Sequence, residues 1–169
     1  MKSEKGQDIV EFALLLPFFL LIICGIIYVG FFFSDYMTLS SIARTAGRET
    51  AVMEDKAEEL ANNGKTKYEK VEDKYDDLLY AIQNDSTQKQ FITKLYLYKR
   101  NNFHVYPPGD SRVPNAPEDS LTVDIAMTLN RGQGFVNALE NLGLIDPDDY
   151  NYNIVYYMYD EYPTSVSGN

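Results

Sequence analysis

The chain has one cysteine, Cys24, and one histidine, His104. A single cysteine excludes an internal disulfide framework and any zinc site built from several thiolates of one chain. Cys24 lies in an apolar run, and Ile23 precedes it where a bacterial lipidation site needs a small residue. A lipid-facing or packed thiol is the simpler reading. His104 stands in NNFHVYPP, with no nucleophile beside it, and reads as a surface histidine. Basic charge is also scarce: 15 Lys and Arg stand against 25 Asp and Glu, for a net charge of −10. Nucleic-acid binding needs clustered Lys and Arg and is not expected. No two carboxylates are spaced to share an apolar pocket, so no catalytic residues are assigned and the chain does not read as an enzyme.

Charge of either sign is missing from residues 12–33, a run of 22 residues. As a helix this run is roughly 33 Å long, enough to cross a hydrocarbon core of about 30 Å. It is too long for a signal-peptide core, and Asp35-Tyr36-Met37 follow it where a cleavage site would need small residues. Lys2 and Lys5 precede the run and favour a cytoplasmic N-terminus, with the bulk of the chain outside; Arg44 and Arg48 weigh slightly the other way. The anomaly is Glu11. It sits one residue before the run and after the apolar pair Ile9-Val10, where an ionisable group costs a few kcal/mol unless it finds a partner.

Past the run, Leu39, Ile42, Ala46, Met53, Ala57 and Leu60 continue an apolar stripe, broken at Glu49-Thr50, and Asn62-Asn63-Gly64 is a helix stop. One helix from about 7 to 62 is expected. Pro17 removes a backbone donor from it and favours a kink. Ala43, Gly47 and Ala51 are small residues four apart, a stripe on which a second backbone can rest closely. Either the outer domain or a neighbouring subunit would occupy it.

The remainder reads as a small α+β domain with an antiparallel sheet and short helices at the outer end of a long N-terminal transmembrane helix. Tyr68, Val71, Tyr75, Leu78, Leu79 and Ile82 share one face of an amphipathic helix. Its acidic residues Glu69, Glu72, Asp73, Asp76 and Asp77 read as a solvated face, and without a liganding loop no metal is expected there. Residues 94–99 read as a strand that turns at Asn101-Asn102 into 103–106. Four of the seven prolines fall in residues 107–117, an exposed loop. SLTVDIAMTL alternates as a strand; residues 133–142 read as a helix capped by Gly143, and residues 146–149 as a turn. NYNIVYYMYDEY reads as a tyrosine-rich strand, most of whose rings are explained as core. The segments are thus 1–6, a span at 7–34, a rod at 35–63 and an extracytoplasmic domain at 64–169.

Gly6 is followed by Gln7, and Glu11 is the fifth residue after Gly6. A short basic leader ending in glycine, followed by an apolar helix with glutamate at its fifth position, is the type IV pilin pattern. VEFALLLP at 10–17, a glycine-containing apolar helix and SIARTAGRETAV at 41–52 together resemble the TadE-like family of tight-adherence (Flp-type) pilus proteins. Members show an acid-Phe-Ala-Leu segment with a nearby proline, and a later turn of helix rich in Ala, Gly and Arg. The resemblance covers about residues 5–52. It implies processing between Gly6 and Gln7, assembly through Glu11, Phe12 and Pro17, and helix packing at Ala43, Gly47 and Ala51. The implied partners are a prepilin peptidase, the pilus assembly platform, other pilin-like subunits and membrane lipid; no cofactor is implied. Pilin-like products often begin with an N-methylated apolar residue, whereas this one would begin with Gln7. Major pilins of such systems are much shorter, which favours a minor pilin or pseudopilin. The rival reading is an unprocessed single-pass protein with an extracytoplasmic binding domain.

Overall fold

A computed structural model describes residues 4–55, 64–84, 95–132, 134–146 and 151–163. Helix α1 (Glu4–Val52) is followed by α2 (Lys67–Asn84), strands β1 (Tyr96–Tyr106) and β2 (Ser120–Leu129), the short α3 (Gly134–Asn141) and β3 (Tyr152–Tyr159). The strands form one antiparallel sheet in the order β1-β2-β3. The architecture is α+β: a long apolar N-terminal helix and a small sheet with short helices.

The two long helices pack on the same face of the sheet. Side chains alternate between faces along a strand, so Leu121, Val123, Ile125 and Met127 share one face of β2, and all four are buried. The ring of Tyr75 on α2 stacks on Phe103, which lies opposite Ile125. Gly47 of α1 faces Val123 and Tyr156. The opposite face carries His104, Tyr106, Thr122, Asp124, Val155 and Tyr157 in register.

Three expectations are corrected. The long helix does not run to residue 62: α1 ends at Val52, and residues 53–55 are irregular. Its last turn tightens through Met53 N–H to Thr50 O (3.2 Å), and the Ala51 carbonyl accepts Glu161 N–H (3.3 Å) from the chain after β3. Ala57, Leu60, Asn62 and Asn63, the turn at 147–149, and Phe91, Thr93 and Tyr150 lie outside the described residues.

Second, Asn101-Asn102, expected as a turn between two strands, are not a hairpin turn. β1 continues in one direction and carries a bulge between Tyr98 and Phe103. Asn101 takes a left-handed conformation (φ 62°), and its N–H donates to Asp76 Oδ1 (2.7 Å). Asparagine tolerates this region better than most residues.

Third, the acidic face of α2 is not all solvated. Glu72, Asp76 and Gln83 line the free edge of β1 and accept backbone N–H groups of Val105 (3.1 Å), Asn101 and Tyr98. Asp76 is buried and also accepts the Tyr98 hydroxyl. An open edge presents a row of unpaired donors to any other strand, and these side chains occupy three of them. Glu72 Oε1 further meets His104 Nδ1 at 3.3 Å, so the histidine is half-buried and paired. Glu69 has another task. It closes a capping box with Thr66, accepting Thr66 N–H (2.8 Å) while Thr66 Oγ1 accepts Glu69 N–H (3.3 Å).

A buried ion pair joins the far end of the domain. Lys67 Nζ lies 2.6 Å from Asp160 Oδ1 and donates to Tyr162 O (2.6 Å); Tyr68 donates its hydroxyl to Asp160 Oδ2 (2.5 Å). Both side chains of the pair are fully buried. Such a pair is tolerable because each charge is also hydrogen-bonded. It ties the start of α2 to the chain leaving β3, next to the end of α1. In the proline-rich loop, Arg112 makes a two-pronged contact with Asp110 (Nε–Oδ1 3.0 Å, Nη2–Oδ2 2.6 Å) and lies over the Tyr106 ring.

Two outcomes follow for the full-length chain in detergent. Asp76→Ala leaves the Tyr98 hydroxyl and the Asn101 N–H without their acceptor and should lower stability by about 2–3 kcal/mol, measured from urea midpoints. Asp124 is the reverse case. Burial raises its pKa, against the opposing charge of His104, and Oδ1 has no hydrogen-bond partner among the described residues. A raised carboxyl pKa means the ionised form is disfavoured in the fold. Its stability contribution is therefore present below the unfolded pKa, near 4, and is lost as pH rises through the higher folded value. Asp124→Asn should stabilise the domain at pH 7, and the gain should shrink towards pH 3.

Candidate functional site

The candidate assembly elements all lie on α1, which does two jobs along its length. From Ile9 to Phe33 its large apolar side chains are mostly exposed, among them Leu14 at 75%. Glu11 and Phe12 lie on this bare stretch, and both are exposed. Gly6 and Gln7 are helical, and the helix runs on through Pro17. Length and composition make this segment one candidate membrane span, and the helix fits a single-pass anchor.

Further along, the same helix becomes the wall of the folded domain. Tyr28, Phe32, Asp35, Leu39, Ala43, Ala46 and Thr50 form a stripe with steps of three and four, and it is increasingly buried towards its C-terminal end. Ala43, Gly47 and Ala51 are all buried within the chain itself, Gly47 against Val123 and Tyr156 of the sheet. An ideal Cβ at Gly47 would lie 3.4 Å from the Tyr156 ring and 3.6 Å from Val123 Cγ2.

The apparent break at Glu49-Thr50 is no break in packing. Thr50 is buried and returns its hydroxyl to Ala46 O (2.9 Å). Glu49 reaches the second helix, accepting from Lys74 Nζ (2.6 Å) and the Tyr75 hydroxyl (2.9 Å). Burial raises the Tyr75 pKa to about 12, and the hydrogen bond to Glu49 adds to the shift.

Asp35 escaped the sequence reading as a packing position. It is fully buried where α1 leaves its bare stretch. Burial raises the pKa of both Tyr96 and Tyr152, and the nearby Asp35 charge raises each further. The rings of Phe32, Tyr36, Tyr96 and Tyr152 pack around this level, with Tyr96 and Tyr152 edge to face at 4.5 Å. The signal was present in the spacing, since Asp35 is four residues before Leu39. Its charge masked it.

Among the described residues, no group of His, Cys, Asp and Glu is arranged to hold a metal ion. What the site can do is mechanical: it offers a long apolar shaft to lipid or to other helices, and it holds a folded domain on that shaft without a linker.

Gly47 tests the close approach. Gly47→Ala puts a methyl at ordinary contact distance and removes a glycine from a helix interior, so it should stabilise by about 1 kcal/mol. Gly47→Leu must displace Tyr156 and should destabilise by about 1–3 kcal/mol. Urea melts of the two variants beside the parent chain decide the sign.

Comparison with known proteins bears on the helix alone. No curated protein and no solved structure matches the chain. Residues 6–48, which carry Glu11, Pro17, Ala43 and Gly47, match the family model described as TadE-like protein.

Proposed function

We propose that the chain is a minor pilin- or pseudopilin-like subunit of a tight-adherence pilus used for surface attachment. It is inserted with its N-terminus cytoplasmic, clipped by a prepilin peptidase after Gly6 and passed to the assembly platform. The observation that carries the reading is the TadE-like match over residues 6–48. The bare apolar shaft of α1, which has to be covered by lipid or by other helices, supports it.

The chemistry of assembly follows from the new terminus. Clipping removes residues 1–6 and frees an α-amino group on Gln7, whose ordinary pKa near 8 leaves it largely protonated at neutral pH. In a bundle of such helices that ammonium pairs with Glu11 of a neighbour. Each charge is costly alone in an apolar setting and largely compensated in the pair. The pair also sets register, because a slip of one helical turn strands both charges. Phe12 packs beside it, and the freed carbonyl near Pro17 lets the first turns bend as the subunit leaves the bilayer.

Intact-mass and N-terminal sequencing after co-expression with a cognate prepilin peptidase, active or inactivated, tests the first step. The expected product begins at Gln7 with the active enzyme alone. A chain still beginning at Met1, beside a control pilin that is clipped, would favour a permanently anchored extracytoplasmic binding protein. Glu11→Ala should be inserted and clipped normally yet be lost from sheared filaments; normal incorporation would refute the pairing.

A further inference from the structure

We infer that the segment formed by α3 and residues 142–145 is a second membrane contact, a shallow foot set into the outer leaflet beside the span. The inference rests on the membrane-span reading of α1. It begins from depth. Tyr28 lies inside the charge-free run, and 16 residues of helix separate it from Phe12, about 24 Å at 1.5 Å per residue. A hydrocarbon core is about 30 Å thick. Whatever touches Tyr28 from the side therefore shares the depth of the outer hydrocarbon boundary.

What touches it is the lower rim of the domain. Tyr28 lines an apolar cleft with Leu95, Leu129, Val136, Leu139 and Ile145. Val136 is buried, and Ile145 packs against the core. Between Leu139 and Ile145 the chain turns tightly. Gly143 takes φ +67°, Leu144 N–H donates to Leu139 O (3.0 Å), and Gly143 N–H donates to Glu140 O (2.9 Å). These bonds make a glycine-capped helix end. That turn holds two leucines outward, Leu142 at 70% exposure and Leu144 at 61%. Two exposed leucines flanking Gly143 on a fixed turn, close in sequence to the Leu139 and Ile145 that meet Tyr28 in the cleft, fit acyl chains as their covering. Tyr28, which lines the cleft with Leu139 and Ile145, is the residue type favoured at the lipid–water boundary. The Arg131–Glu140 pair (3.7 Å) supplies polar groups suited to the headgroup layer.

The chain has no tryptophan, so a single introduced indole reports its own surroundings. Leu144→Trp and Leu142→Trp sit on exposed positions and do not disturb the core. Phe19→Trp reports the span. Tyr159→Trp reports the far end of β3, seven residues from Tyr152 and so about 23 Å along the strand. Each full-length variant is reconstituted in phosphatidylcholine vesicles with lipids brominated at shallow acyl positions or deep ones, and titrated with iodide. The expected result is blue-shifted emission at 142 and 144, quenching by the shallow bromines, and at least threefold weaker iodide quenching than at 159. If 142 and 144 behave like 159 while 19 is quenched by the deep bromines, the span stands and the foot is refuted. If 19 is not quenched by either lipid, the membrane reading itself fails and takes the foot with it.

Discussion

The structure depends on how closely the sheet can approach one stripe of α1. At Ala43, Ala46, Gly47 and Ala51 the helix presents little more than backbone, and Val123 and Tyr156 come down onto it. Among the described residues the domain has a three-stranded sheet, and the apolar face of such a sheet must be covered to be stable. α2 covers the β1 side through Tyr75 and Phe103. Among the described residues, α1 covers the β2–β3 side. Side chains of ordinary size at these four positions would hold the sheet away and leave Val123 and Ile154 without a cover.

Several polar contacts secure this packing or protect its flanks. Glu49 joins α1 to α2. The Lys67–Asp160 pair and the Glu161–Ala51 hydrogen bond tie both helices to the chain leaving β3. Glu72, Asp76 and Gln83 occupy donors on the β1 edge, which would otherwise recruit foreign strands. The polar residues of this acidic chain are thus divided between solubility and structure. The division follows position, not residue type: Asp73 and Asp77, one residue from Asp76 or Glu72, lie on the outer side in exposed ion pairs with Lys65 and Arg100.

Periodicity made α2, β2 and the later part of α1 legible in the sequence, because each buries one face; the first part of α1 was legible as a charge-free run, and β3 through its density of branched and aromatic residues. The candidate assembly residues were legible through Glu11, whose charge has no local justification. What escaped was whatever depends on a distant partner. A carboxylate that accepts an edge-strand N–H is indistinguishable in sequence from one in water, so Glu72 and Asp76 read as solvated. Lys67 and Asp160 lie 93 residues apart, and neither has a neighbour that announces a buried pair. The end of α1 at Val52 is set by tertiary contacts as well: the Ala51 carbonyl is taken by Glu161, although the helical pattern of the sequence runs on. Asn101 carried the cue for its left-handed backbone, and that cue fits a bulge as well as a turn.

The continuity of α1 has a mechanical consequence for the proposed assembly. There is no break between Ile9 and Val52, so the shaft and the wall of the domain are one rod about 65 Å long. Asp35 ends the charge-free run and is buried near Tyr96 and Tyr152. Drawing the rod deeper into a bilayer would carry Asp35 and the sheet edge with it, so the sheet acts as a collar that limits insertion. Drawing it outward would instead carry Glu11 into the hydrocarbon, at a cost of a few kcal/mol unless a partner charge travels with it. In the proposed assembly the two limits act from opposite ends, the sheet against sinking and an unpaired Glu11 against extraction, so a partner charge for Glu11 is what would release the rod.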